Sequence, residues 1–280
     1  MDWLMRKRKN VCFKSMVILL VLLCSFLSGC TQQKPGTATK AQYDKKIVIG
    51  VDDYPPFNFP DENGKPTGID IELAEEAFGR MGYGVRFTRI EWDRKDALLA
   101  SGDVDCVWSC FSMNGREQKY KWAGPYMVSN QVVAVRNDSN IKSLADLQGK
   151  IIAVQSSTKP ESMFLDRTDP KIPAIRQIYS VENRDMIYAM LGKGYVDAIA
   201  AHATAINQYN KDFTMNYRIL PEPLVVTGIG AAFYRNDKRG IAEDLQKTLE
   251  AMRKDGTTKK ILEKYLNEAD SYLEVEKLEQ

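Results

Sequence analysis

With 280 residues, 44% of them apolar and 27% charged, the chain is long enough to bury one large or two medium cores, which excludes disordered and fibrous classes. Lys and Arg number 39 against 37 Asp and Glu, a formal balance of +2, so no basic surface is available for nucleic acid.

The charge is segregated along the chain. Arg6, Lys7, Arg8, Lys9 and Lys14 stand against Asp2 alone ahead of the apolar run from Met16 to Leu27, which ends in Leu27-Ser28-Gly29-Cys30. This is the pattern of a secretory signal, residues 1–29, with an apolar run shorter than the roughly 20 residues of a membrane-spanning helix. The small residues before Cys30 resemble a bacterial lipobox. That implies cleavage ahead of Cys30 and a diacylglycerol on its sulfur, so the protein is expected outside the cytoplasm, anchored to the membrane by that lipid. Residues 30–46 are polar, contain Gly and Pro and lack an apolar period, which reads as a flexible tether.

From Ile47 onward short β-branched runs alternate with helical stretches. Strands are predicted at Ile47–Val51, Val85–Ile90 and Val104–Trp108, and helices at Ile69–Met81 and Arg94–Ala100. In the first helix Leu73, Ala77 and Met81, with Ala74 and Phe78, form a stripe that would cover one sheet face. The pattern restarts after a strand at Gln131–Arg136, with a short helix at Ser143–Leu147 and strands at Ile151–Gln155, Ile175–Tyr179 and Val196–Ala200. Helices at Val181–Leu191 and Ala203–Asn210 accompany them; a strand at Val225–Tyr234 and helices at Gly240–Arg253 and Thr258–Leu266 close the chain. The fold class is therefore α/β, with two similar units joined near residues 128–136 and 226–235 and a cleft between them. One lobe is assigned residues 47–130 and 235–267, the other residues 131–234; residues 268–280 are a tail with little core pattern.

Only Cys106 and Cys110 remain in the folded part. On one extended segment their Cα atoms would lie about 13 Å apart at about 3.3 Å per residue, beyond disulfide reach, so buried free thiols are expected. One histidine and two cysteines at this spacing complete no zinc pattern; no metal and no cofactor are expected.

Five segments carry a resemblance. Asp52-Asp53-Tyr54-Pro55-Pro56-Phe57, the turn Asn63 to Asp70, WDRKDALLASGDVDC from Trp92, SMNGRE from Ser112 and WAGPYM from Trp122 resemble, in this order, the polar amino acid substrate-binding proteins of ABC importers. The resemblance spans about residues 45–267. It implies a two-lobed periplasmic-binding-protein-like fold with two crossover strands, closing on a small ligand.

Candidate binding residues follow from chemistry and resemblance together. The planar donor fork of Arg116 suits a carboxylate, and the family's arginine at this place holds the ligand's α-carboxylate. Ser112 would donate its hydroxyl to the same group. The family has a slightly longer segment before this arginine, so the neighbouring positions, Cys110 among them, stay open by one residue. Ser156 to Glu161 follows a strand and opens a helix whose first N–H groups attract anions; the family uses this loop, which points to Thr158 and the Lys159 amide. Tyr54 and Trp92 match the family's aromatic walls, whereas Trp108, inside an apolar strand, is assigned to the core. Asp53 either contacts the ligand or fixes the turn.

One position departs from the family. After the strand Val196–Ala200 an aspartate normally neutralises the ligand ammonium; here Ala201-His202-Ala203 stands in its place. Neutral imidazole supplies no counter-charge, and imidazolium would repel an ammonium. Either another carboxylate such as Asp53 or Glu161 takes over, or the ligand lacks a free α-ammonium, or His202 merely caps the next helix outside the cleft.

The expected function is a lipid-anchored, monomeric receptor that passes an amino acid or related small carboxylate to an ABC permease, without enzymatic activity. Dehydratase-like catalysis on the same fold and a sensor or adhesin are the alternatives. Beside His202 the sequence has no second acid or base at a diagnostic spacing, no nucleophile elbow and no phosphate loop.

Overall fold

The computed structural model describes residues 45–167 and 169–279. The expected signal segment 1–29, Cys30 and nearly all of the tether 30–46 lie outside the described residues.

The first strand, β1 (Lys46–Val51), leads into a loop and a small hairpin of β2 (Phe59–Pro60) and β3 (Pro66–Thr67), then helix α1 (Ile69–Arg80). Gly68 makes this turn possible: its φ is 117°, and a Cβ there would lie 2.3 Å from the Phe57 carbonyl oxygen. The close approach lets Ile69 and Asp70 donate their N–H groups to the carbonyls of Pro56 and Phe57 at 3.0 Å each, which pins the loop after β1 to the start of α1. The predicted stripe of α1 is buried at Leu73, Ala74, Ala77 and Phe78. Each such Leu or Phe contributes about 1.5–3 kcal/mol by leaving water.

Next come β4 (Gly84–Arg89), α2 (Lys95–Ser101), β5 (Cys106–Ser112) and β6 (Tyr120–Arg136). The far half holds β7 (Ile151–Gln155), α3 (Lys159–Asp166), β8 (Gln177–Val181), α4 (Arg184–Gly192), β9 (Ala198–His202), α5 (Ala203–Asp212) and β10 (Tyr217–Ile219). The chain returns through β11 (Val225–Tyr234) to α6 (Ile241–Lys254) and α7 (Thr257–Leu262).

These strands form one sheet in the order β4-β1-β5-β11-β6-β9-β7-β8, with β10 also on β6. β1 runs parallel to β4 and β5, and β7 parallel to β8 and β9, so the fold is mixed α/β and two-lobed with a parallel unit at each end. β6 joins them: Tyr120 to Gln131 pair with β11, and Gln131 to Val135 with β9. Buried apolar residues of β1, α1 and α6 gather on one side of that junction, and those of β7, α4 and β9 on the other.

Several boundaries differ from the sequence expectation. β5 begins at Cys106 and continues to Ser112, because Val104 turns back to the Leu98 carbonyl instead of entering the sheet. β6 starts eleven residues before the expected Gln131, through Gly124-Pro125, where a register shift in its pairing with β11 accommodates the proline. Ile172 and Ile175 pack beneath the sheet, so β8 starts at Gln177 rather than Ile175. The tail is not free of the core: Ala269 and Val275 are buried. No described helix is long and apolar enough to cross a membrane.

Candidate functional site

The carboxyl ends of β1, β5, β7 and β9 face one another across the junction of the lobes, the place where open α/β sheets collect ligands. They enclose a cavity of about 30 Å³. It brings together eight of the nine candidate binding residues: Tyr54, Trp92, Cys110, Ser112, Arg116, Thr158, Lys159 and His202.

The ninth, Asp53, turns away. Its carboxylate lies 3.2 Å from Arg89 Nη1, and it does not line the cavity.

β5 shapes the cavity floor. Between Val107 and Phe111 it carries extra residues relative to β11, and Cys110 adopts a left-handed φ of 43°. The freed Cys110 N–H donates to Asp70 Oδ2 at 2.6 Å. Asp70 also accepts from the Tyr126 hydroxyl at 2.6 Å and from Asn58 Nδ2 at 3.3 Å; burial pushes its carboxyl up to about 6, these bonds opposing the rise. Both described cysteines, Cys106 and Cys110, are buried and free, and burial holds their thiols well above the usual range, so neither is a thiolate.

One wall is cationic. Arg116 lies over the Phe111 ring at 5.3 Å, its Nη1 and Nη2 donating weakly to the carbonyls of Ser112 (3.3 Å) and Ser157 (3.5 Å). Burial pulls its guanidinium below the ordinary value, yet it stays a cation at any physiological pH. Lys95, on α2, shares the Ser157 carbonyl at 3.4 Å and donates to Trp92 O at 3.1 Å; burial lowers it to about 8. Opposite, α3 opens at Thr158 with Pro160 in its first turn, and Thr158 Oγ1 donates to Gln155 O at 2.6 Å. Glu161 does not reach across the cavity: its Oε2 accepts the Ser157 N–H at 2.6 Å, within its own loop.

The other wall is neutral. His202 is the last residue of β9, buried, and stands at the cap position of α5, but its side chain makes no capping bond and lines the cavity instead. Its Nδ1 lies 2.8 Å from Ser129 Oγ and its Nε2 2.6 Å from Gln131 Nε2. Burial, then the nearby Arg184, pushes its pKa down to about 3, so the ring is uncharged at neutral pH. Gln131 continues to Ser112 Oγ at 3.3 Å.

A second arginine enters the cavity that sequence reasoning missed. Arg184 opens α4, pairs with Asp52 Oδ2 at 3.2 Å and donates to Gln155 Oε1, while its guanidinium carbon lies 3.2 Å from the Tyr54 ring centre. Gln155 Nε2 completes the triangle to Asp52 Oδ2 at 2.9 Å. A sequence signal exists: an arginine in the first turn of a helix opposes the macrodipole and calls for an acid partner.

Trp92 is buried edge-on to Phe111 at 4.9 Å with its Nε1 unpartnered. Trp108 is fully buried between Phe78 and Tyr126, as expected of a core residue. Among the described residues no group of three or more His, Cys, Asp and Glu could hold a metal ion.

Residues 47–268 match the family model described as bacterial extracellular solute-binding proteins, family 3. The L-cystine-binding protein TcyA of Bacillus subtilis (strain 168) is 30% identical over 266 residues, covering 90% of this chain and 95% of its own. The histidine-binding periplasmic protein of Salmonella typhimurium is 28% identical over 264 residues, covering 91% and 97%. An ancestral arginine-binding protein bound to arginine superposes with a TM-score of 0.72 at 29% identity, covering 81% of this chain and all of that one.

Proposed function

The chain belongs to family 3 of the bacterial extracellular solute-binding proteins, and from that premise we propose that it captures an amino acid or a related small carboxylate and delivers it to an ABC importer. The supporting observation is the pairing of Arg116 on one lobe with the α3 start on the other, around one cavity. A carboxylate held between them accepts the guanidinium fork, the Ser112 hydroxyl and the N–H groups at Thr158 and Lys159, and thereby links the lobes. Tyr54 and Trp92 form walls, Cys110 backs the floor, and His202 adds a neutral buried ring beside Ser129 and Gln131. Asp53 takes no part in binding, since its carboxylate is committed to Arg89. No chemical step is assigned; lobe closure is the signal the permease reads.

The anchor belongs to the same reading. A lipid on Cys30 and a polar tether hold a monomeric receptor at the outer membrane face near its permease. Mass spectrometry of the amino-terminal peptide should find diacylglycerol on Cys30, and Cys30→Ala should release the protein from the membrane.

A thermal-shift screen of the purified protein against amino acids, their amides, oligopeptides and simple carboxylates tests the receptor role. Ligand at 100 times its Kd adds about 2.7 kcal/mol, and about 2–4 °C per kcal/mol for this size gives a shift of about 5–10 °C. No shift across the panel would overturn the reading.

A further inference from the structure

Charge around the cavity has one sign. Arg116, Lys159 and Arg184 line it, and no aspartate or glutamate does. Three carboxylates close to the lining, Asp52, Glu161 and Asp70, are engaged by the protein. Asp52 is held by Arg184 at 3.2 Å, by Gln155 at 2.9 Å and by the Asp53 N–H at 2.9 Å. Glu161 is occupied by the Ser157 N–H, and Asp70 is sealed behind Cys110. His202 has both ring nitrogens in contact with Ser129 and Gln131, and burial keeps it neutral.

An ammonium entering this space would lose its water without meeting a counter-charge, one of the most unfavourable transfers available to a small ligand. A second anionic group is in the opposite position. Among the described residues neither Arg116 nor Lys159 forms an ion pair, so neutralising Arg184 with Asp52 still leaves two positive charges. Of the buried cavity atoms without a hydrogen-bond partner, Trp92 Nε1 is a donor, whereas Arg184 Nη1 already lies 3.2 Å from Asp52 Oδ2. Gln131 Oε1 is an acceptor that suits a hydroxyl but supplies no charge.

We infer that the ligand is a small dicarboxylate without a free α-amino group, one carboxylate on Arg116 and the α3 start and the other toward Arg184 and Trp92. This deepens the receptor reading and rests on it. Arg184 then has two tasks: its guanidinium adds positive charge beside the ligand, and it masks Asp52, a carboxylate that would otherwise attract an amine.

Calorimetric titration of the purified protein compares pairs that differ at the amine: malate and succinate against aspartate, 2-oxoglutarate and glutarate against glutamate. At least one amine-free diacid should bind ten times more tightly than its amino counterpart. Equal or tighter binding of aspartate or glutamate, or a response to arginine, histidine or cystine alone, would overturn the inference and leave the receptor reading standing. Silence from both series and from the wider panel would overturn both. Arg184→Gln uncovers Asp52 and should cut the preference for the amine-free partner at least tenfold; an unchanged preference would overturn the masking role.

Discussion

The backbone N–H of His202 donates to the Tyr54 hydroxyl at 3.0 Å, tying the end of a strand in one lobe to the loop after β1 in the other. Both residues are buried, so water cannot substitute for the bond. Tyr54→Phe keeps the ring against Phe57 and Arg184 but leaves the His202 N–H without an acceptor. The expected loss is about 1–3 kcal/mol, the cost of an unpaired buried donor. Urea unfolding measures it, and an unshifted midpoint would show that another acceptor moves in.

Arg116 carries the carboxylate contact. Arg116→Ala should abolish binding of whichever ligand the screen identifies. Arg116→Lys, which keeps the charge and loses the fork, should weaken it by about 1.5–3 kcal/mol, roughly 10–150-fold. Calorimetric affinities close to wild type for both variants would place the carboxylate elsewhere.

The neighbouring aspartates should behave differently. Asp53 is half exposed beside Arg89, and Asp53→Asn should leave ligand affinity within about twofold and stability within about 0.5 kcal/mol. Asp52→Asn strips the counter-charge from Arg184, which is only 9% exposed, and should destabilise the protein by about 3–5 kcal/mol. Thermal denaturation of the two variants in parallel distinguishes them; equal effects would contradict the ion-pair assignment.

His202 should make stability sensitive to acid. The folded chain keeps it neutral down to about pH 3, whereas its ordinary value is 6.5. Between those values the unfolded chain binds the extra proton, so stability rises with pH in that window and is lost as pH falls. At about 1.4 kcal/mol per unit, the fall from pH 6.5 to 4 removes about 3 kcal/mol. Asp70 acts in the opposite sense: its folded value of about 6 lies above 3.8, so the folded chain holds the extra proton and acid favours it. A comparison with His202→Gln cancels Asp70, which both proteins retain. Wild type should lose about 3 kcal/mol more than the variant over that range, and parallel pH profiles would refute the neutral buried imidazole.

Much of the framework was legible because it is written in local periodicity. The α1 stripe and the apolar runs of β1 and β7 need only neighbours a few residues away to declare themselves. β6 escaped because Gly124-Pro125 reads as a turn; the break in its pairing with β11 is supplied by a strand about a hundred residues later. The extension of β5 to Ser112 escaped for a related reason, since β11 supplies part of its pairing.

Sequence by itself determined the α/β class, the family resemblance, the core role of Trp108 and the cationic candidate Arg116, all readable from residue type, period and motif order. Tertiary structure alone decided the charge character of the cavity. It turned Asp53 toward Arg89, set Arg184 on Asp52, brought Gln155 to Asp52 across 103 positions and buried His202 between Ser129 and Gln131. Ion pairing and desolvation depend on distance through space and on the surrounding dielectric, and neither quantity exists along the chain until the lobes have packed.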